Sequence, residues 1–464
     1  MPKFGDVVVL LPGIMGSVLS KDGKEVWALS GEALLNAIFS NTASIKSLAL
    51  SNDDPDIDDL GDGVEATRLF PDLHLIPGFW KIDGYSRISK YLIDEFHLKA
   101  GENFFEFPYD WRRHNAVAAK RLQKLSMQWL KNWQRSSGNS NARLVLVAHS
   151  MGGLVSRYFL EVLGGWEHTR MLITFGTPFC GSLNALNFIS NGLKIKAGPF
   201  VLTDLTDLLR SFTSVYQLLP TYPCVDMGDG KYIYVNKTDK IPNLNQSRAK
   251  DALFFHDLMT DAYKANEKDS RYQENSYSLF PFVGTFQHTL QSAIVQNGKC
   301  EMLASFNGED RTGDGTVPRV SAVPKEYNLT TGYAIDTCHG SLQNSDEALT
   351  NIWYKFTGVS IKDDLRFNLR FAKICQVGLM LDDIYFTDES IQLKVKSDDP
   401  SQKVNVELIN AATENVVELK TCELKNDNWH DVELKPVKKG DYRINATIKD
   451  KRTASDALVV MEKL

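Results

Sequence analysis

The sequence has no surplus of positive charge, no dense cysteine framework and no long apolar run, and each absence removes a class of protein. Its 52 lysines and arginines are outnumbered by 58 aspartates and glutamates, for a net charge of −6. A chain that grips nucleic acid usually carries a basic surplus, so nucleic acid is not an expected partner. No tract approaches the about twenty apolar residues that span a bilayer. The six cysteines, Cys180, Cys224, Cys300, Cys338, Cys375 and Cys422, lie far apart, with no CxxC pair and no clustered histidine. Neither a zinc site nor a disulfide scaffold is expected, and neither a metal nor an organic cofactor is called for. The opening stretch MPKFGDVVVLLPGIMGS has one lysine, an aspartate just before its apolar run and no small-residue cleavage site after it. It reads as a buried strand rather than a secretory leader. Together with the scattered cysteines this leads to the expectation of a reducing, cytoplasmic setting.

What is present is a chain of 464 residues, 43% hydrophobic and 24% charged. That is the composition of a globular protein, and the length suggests two or three domains. VVVLL (7–11), LVLVA (144–148) and MLITF (171–175) are short, β-branched and apolar on both faces, as strands of a parallel sheet covered by helices are. Between them a helix is expected over Ala116–Trp133 with Asn115 as N-cap, and Leu154, Val155, Tyr158, Phe159 and Val162 make a second helical face. Strands alternating with helices indicate an α/β fold. From about 180 to 280 the rhythm breaks. SLNALNFISNGLKIKAG and LTDLTDLLRSFTSVYQLL read as helical, and the whole stretch is too long for a connection, so a folded insertion is expected there. Strand character returns at Pro281–Phe286. Asn297-Gly298 marks a tight hairpin, and GYAID (332–336) reads as the last core strand. Beyond about Gly358, IQLKVK, KVNVELI, NVVELKT, HDVELK and DYRINATI alternate apolar and polar residues. Val404, Val406 and Leu408 share one face, as do Tyr442, Ile444, Ala446 and Ile448. Period-two alternation at this spacing predicts an immunoglobulin-like antiparallel β-sandwich over 359–464, behind an α/β domain over 1–358.

Chemistry concentrates in LVLVAHSMGGLVSRYFL (144–160), where a buried strand runs into Ala-His-Ser-Met-Gly-Gly and a helix starts at once. That is the context of a nucleophile elbow, with Ser150 exposed at the turn and Ala148 and Gly152 supplying the small residues the turn needs. Ala148 stands where glycine is usual. The plain alternative is a small-residue turn packing a helix on a sheet. Met151 N–H opens the helix, where unpaired amides favour negative charge. A serine needs a base and the base an orienting acid. GEDRTGDGTVP (308–318) offers Asp314, with Asp310 as nearest rival; loops of this kind also bind calcium. His339 follows the last strand and completes the chain order Ser…Asp…His of an α/β-hydrolase. His149 is the other available base, but its position on the turn directs it away from Ser150, into elbow packing. The glycines of LLPGIMGS let that loop approach the reacting centre, so the Ile14 and Met151 amides are the expected oxyanion pair.

LLPGIMGSVL, the tryptophan of KEVW, FPYDWR, AHSMGG, TFGTPFCGS, YQLLP and TGDGTVP occur in this order. Over residues 5 to about 357 the chain thereby resembles the lecithin:cholesterol acyltransferase and lysosomal phospholipase A family, in its bacterial form. AHSMGG alone is common to many hydrolases; its combination with PGIMGS, PYDWR and GDGTVP is far more specific. The resemblance implies an α/β-hydrolase fold with a helical cap and lid, a triad of Ser150, Asp314 and His339, and oxyanion amides at Ile14 and Met151. It further implies that Trp27 contacts the acyl chain or a lid and that Tyr109–Arg112 brace the pocket. A core aromatic and a buried ion-pair partner are the plainer readings of Trp27 and Arg112. Two features depart from the secreted relatives: no leader is visible, and the cysteines do not follow their disulfide scheme. The C-terminal sandwich lies outside the resemblance.

The expected activity is that of a serine lipase or phospholipase acting at a lipid or membrane surface, with water or an alcohol as acyl acceptor. Phe188, Ile189, Leu193, Phe200, Leu202 and Leu205 are the candidates for an acyl groove, and core packing explains them as well. The rivals are a carboxylesterase or thioesterase for small soluble esters, and a lipid- or protein-binding module on a retired scaffold. Sandwiches of this kind serve for protein-partner, membrane, glycan or oligomer contacts, and fold alone does not choose among these or a regulatory role.

Overall fold

The computed structural model describes residues 4–27, 42–71, 73–76, 80–197, 200–358, 376–448 and 453–462. Six strands form one parallel sheet: β1 (Val7–Leu11), β2 (Phe104–Glu106), β3 (Leu144–His149), β4 (Thr169–Phe175), β5 (Ser278–Gly284) and β6 (Tyr333–Ile335). Their order is β6-β5-β4-β3-β1-β2, and every neighbouring pair is parallel. β1 and β3 are buried at every position, which is why their sequences read as unbroken apolar runs. Helix α1 (Asn115–Ser137) packs on β1, and α2 (Gly152–Glu161) packs on α1, β3 and β4. All ten residues of α2 are buried, more than the single face expected, because α1, the sheet and the long helix of the insertion all pack on it.

The start of α1 corrects the expected cap. His114 is the N-cap, its Nδ1 accepting the Ala116 N–H at 3.1 Å, while the Asn115 N–H and Nδ2 both turn to Gln217 Oε1 at 2.9 Å. A buried tertiary partner outbid local capping, and the helix continues past Trp133 to Ser137.

The insertion holds α3 (Leu183–Asn191), the short helices Thr206–Ser211 and Thr213–Gln217, and α4 (Gln246–Asn266). The KIKA segment expected to be helical is instead a strand, Lys194–Ala197, paired antiparallel with Phe200–Asp204. Its alternating polar and apolar residues suit a strand once α3 has ended. The Asn297-Gly298 hairpin forms as expected. Gln296 pairs with Lys299, and the two turn residues have φ of 52° and 71°, the left-handed pair that a two-residue turn requires. Helix α5 (Asp346–Thr357) follows β6.

Beyond it, the described residues form eight strands in two sheets. β7 (Val377–Leu381), β9 (Ile391–Ser397) and β12 (His430–Leu434) form one; β8 (Ile384–Phe386), β14 (Thr453–Met461), β13 (Gly440–Ile448), β10 (Lys403–Asn410) and β11 (Val416–Glu423) form the other, in that order. All pairs are antiparallel except β8 with β14. The alternating residues Val404, Val406, Leu408, Tyr442, Ile444, Ala446 and Ile448 fill a separate hydrophobic core between the sheets. The sequence pattern had not marked β7, β8 or β14. In β14 the run ALVVM lacks alternation because both faces are covered: Leu458 and Val460 enter the sandwich core, whereas Val459 and Met461 enter the core of the α/β part. The expected domain boundary at 358–359 adjoins residues 359–375, which lie outside the described residues, as does Cys375. Among the described residues no helix is long and apolar enough to cross a membrane.

Candidate active site

At the end of β3 the backbone turns sharply through Ser150, a non-glycine residue with φ 50°. Ser150 N–H donates to Phe175 O at 2.8 Å, and its carbonyl accepts from Thr177 Oγ1 at 2.9 Å and from the Gly153 N–H at 3.0 Å. These bonds hold a conformation that an L-residue adopts reluctantly, and such strain is a mark of functional turns. The small residues expected at the elbow have a visible cause. A Cβ on Gly152 would lie 2.5 Å from Pro12 O, so glycine lets the loop after β1 press against the elbow.

Above the sheet three side chains from three loops meet. His339 Nε2 lies 3.0 Å from Ser150 Oγ, and His339 Nδ1 lies 2.7 Å from Asp314 Oδ2. Asp314 Oδ1 accepts the Thr316 and Val317 N–H groups at 2.9 and 2.6 Å. The three residues are at most 3% exposed. A carboxylate only accepts, so Nδ1 carries the proton and Nε2 is left as acceptor toward the serine. An arrangement of this kind can take a proton from the hydroxyl and hold the resulting imidazolium.

The rivals considered for these positions are engaged elsewhere. Asp310 Oδ1 accepts from Gln291 Nε2 and the Thr312 N–H at 2.7 and 2.8 Å. His149 Nδ1 faces Tyr85 Oη at 3.1 Å and its Nε2 faces His339 O at 3.0 Å. Burial, and then the neighbouring His339 ring, hold the His149 imidazole well below the usual histidine range. It is a neutral ring packed against His339, with ring centroids 4.9 Å apart. Among the described residues no group of three or more His, Cys, Asp or Glu is placed to hold a metal ion.

The loop after β1 is built from the predicted pocket residues. Tyr109 Oη donates to Pro12 O at 2.9 Å, Trp111 Nε1 donates to Ser17 O at 3.0 Å, and the Tyr109 N–H donates to Ser17 Oγ at 3.1 Å. The Gly13 N–H donates to Tyr85 Oη at 2.8 Å. Among the described residues, neither the Ile14 nor the Met151 amide donates to a protein acceptor. Arg112 is fully buried and ion-paired, with Nη2 2.6 Å from Asp110 Oδ2 and 2.9 Å from Asp62 Oδ2 and Nη1 donating to Leu48 O at 3.0 Å. It ties the segment that carries Tyr109 and Trp111 to Leu48 and Asp62. Trp27 is buried edge-on against Trp111 at 5.3 Å, with Nε1 3.4 Å from Met15 O; residues 28–41 beyond it are outside the described set.

Phe188, Ile189, Leu193 and Leu205 belong to the main hydrophobic core. The side chains of Phe200 and Leu202 are not among those described. A crevice of about 240 Å³ borders Asp314 and His339 and is walled by Lys81, Asn184, Met380 and Asp383.

One contributor went unnoticed in the sequence. Gly176, at the end of β4 with φ 55°, leaves the space in which Asp314 and His339 meet: a Cβ there would lie 2.6 Å from Asp314 Oδ2 and 2.8 Å from His339 Nδ1. The signal available was the glycine of TFGTP directly after a core strand.

A family model described as lecithin:cholesterol acyltransferase matches residues 46–324. No curated protein matches the chain. Among solved structures, the chain is similar to the Bacillus licheniformis lipase BlEst2 in its mature form, at 13% identity over 77% of this chain and 93% of that one, with a TM-score of 0.31. The propeptide form of that lipase matches at 12% identity over 99% of this chain and 94% of that one, with a TM-score of 0.32. The CARDB domain of a Pyrococcus furiosus protein matches at 20% identity over 19% of this chain and 94% of that one, with a TM-score of 0.16.

Proposed function

The chain belongs to the lecithin:cholesterol acyltransferase family, and from that premise we propose that it is a serine lipase or phospholipase that cleaves acyl esters of lipids through an acyl-Ser150 intermediate. The observation that carries this reading is the relay from Asp314 Oδ2 through the His339 ring to Ser150 Oγ, at 2.7 and 3.0 Å. His339 removes the Ser150 proton as the oxygen attacks the ester carbonyl, and Asp314 steadies the imidazolium. The Ile14 and Met151 amides receive the oxyanion; one such donor typically contributes on the order of 3 kcal/mol in the transition state. His339 then protonates the leaving alcohol. In the second step it activates water, which frees the fatty acid, or an alcohol acceptor, which yields a new ester.

An aggregated lipid surface is the expected partner. The discriminating experiment is an acyl-chain series comparing phospholipid vesicles with short monomeric esters. The proposal requires turnover of long-chain aggregated lipid; activity confined to short soluble esters contradicts it and assigns the site to a carboxylesterase.

A further inference from the structure

The loop that carries His339 is held from the side of the C-terminal sheets. Thr337, two residues before His339, is fully buried against the backbone of β14. The Ser455 N–H donates to Thr337 Oγ1 at 2.9 Å, and Thr337 Oγ1 donates to Ser455 O at 3.4 Å. Gln376, just ahead of β7, donates from Nε2 to Asp336 Oδ1 at 3.1 Å. On the other flank, Gly340 O accepts the Asp83 N–H at 3.0 Å, and the segment around Asp83 is itself tied to the sandwich by three ion pairs. Lys81 Nζ lies 2.7 Å from Asp383 Oδ1 and 2.8 Å from Asp456 Oδ2, and Arg443 Nη2 lies 2.5 Å from Asp83 Oδ1. Gln287 adds a backbone clamp, accepting the Leu379 N–H at 3.0 Å and donating to Val377 O at 3.2 Å.

An appended module needs only a tether, whereas the bonds to Asp336, Thr337 and Gly340 end on the five residues 336–340 that present the base, and the others tie neighbouring segments to the same sheets. The charged side chains involved are at most 19% exposed, so their geometry is fixed by desolvated pairing rather than by loose surface attraction. We propose that the C-terminal sheets are a positioning element of the reaction, holding the Asp336–Gly340 loop so that His339 stays aligned between Asp314 and Ser150. This rests on the reading of those three residues as the catalytic relay. Displacing a reacting group by about 1 Å costs roughly a hundredfold in rate, so loosening the loop is read in turnover rather than in binding.

The test uses the full chain. Thr337→Val keeps the shape and removes the hydroxyl. The expected result is a kcat at least tenfold lower with KM unchanged, fluorophosphonate labelling slowed in parallel, and recovery of both in Thr337→Ser. Asp383→Asn, which weakens the hold on Lys81 without touching the loop, lowers kcat in the same sense, while Lys394→Ala in an exposed sandwich ion pair leaves it unchanged. A folded Thr337→Val protein with kcat within twofold of the parent overturns the proposal; if that variant does not fold, a wild-type kcat in Asp383→Asn overturns it instead. Ser150→Ala, run alongside, separates the two readings: its continued labelling would remove the catalytic relay itself.

Discussion

Replacing Asp314 by Asn is the substitution whose consequence the geometry dictates most tightly. Asp314 Oδ1 is occupied by the Thr316 and Val317 N–H groups, so in Asp314→Asn the amide oxygen keeps that place. The amide nitrogen then faces His339 Nδ1, 2.7 Å away in the parent. Both partners cannot donate, so the imidazole must hold its proton on Nε2 and point it at Ser150 Oγ. A ring in that tautomer cannot take the serine proton. Side-chain volume and hydrogen-bond count barely change, so the fold should survive while kcat falls on the order of 10⁴-fold, the magnitude a wrong tautomer produces in such relays. That is about 5 kcal/mol of transition-state stabilisation. The assay is steady-state ester hydrolysis by the parent and by Asp314→Asn, with thermal melts to verify folding and Asp310→Asn as the control expected to retain activity. A folded Asp314→Asn protein within tenfold of the parent, or an Asp310→Asn protein that loses activity in its place, would refute the assignment of the orienting acid.

Three further outcomes follow from packing and charge. Gly152→Ala drives a Cβ against Pro12 O, so it should cost about 1–3 kcal/mol of stability and depress kcat as the loop bearing Ile14 is pushed back; a urea titration beside an activity assay checks both. Arg112→Met leaves the Asp110 and Asp62 carboxylates without their buried cation, a loss of about 3 kcal/mol in urea unfolding, and an unchanged midpoint would contradict the bracing role. His256, with Nε2 2.7 Å from Gln217 O, is held down to about 4 by burial. The unfolded chain therefore binds a proton there that the folded chain does not, so the His256 contribution is complete above about pH 6.5 and is lost as the pH falls toward 4. The gap of roughly 2.5 pH units corresponds to about 3 kcal/mol, so His256→Gln should flatten the urea midpoint between those pH values, and an unaltered slope would rule the residue out.

What the sequence disclosed follows physical range. The elbow was legible because strand, turn and helix are contiguous in LVLVAHSMGG, and the hairpin because Asn-Gly alone satisfies a two-residue turn. The choice between Asp314 and Asp310 was not local. Both sit on one Gly-rich loop, and only the positions of Gln291 and His339 separate them. The His114 cap was hidden for the same reason, since Gln217, distant in sequence, draws Asn115 away. The acyl-groove candidates show the limit of composition: an apolar side chain in a cap reads alike whether it faces a substrate or the core, and Phe188, Ile189, Leu193 and Leu205 face the core. β14 escaped notice because two cores share it, which removes the alternation that marks a half-buried strand. That sharing also ties the sandwich to the loop of His339, a relation that alternation within either segment could not reveal.

The central claim is that Ser150 is the acylated nucleophile. Intact mass and peptide mapping after treatment with a fluorophosphonate test it directly. A single adduct on the peptide containing Ser150, absent from Ser150→Ala and suppressed by prior incubation with long-chain lipid, is the predicted result. An adduct on any other residue, or undiminished labelling of the folded Ser150→Ala protein, would contradict it.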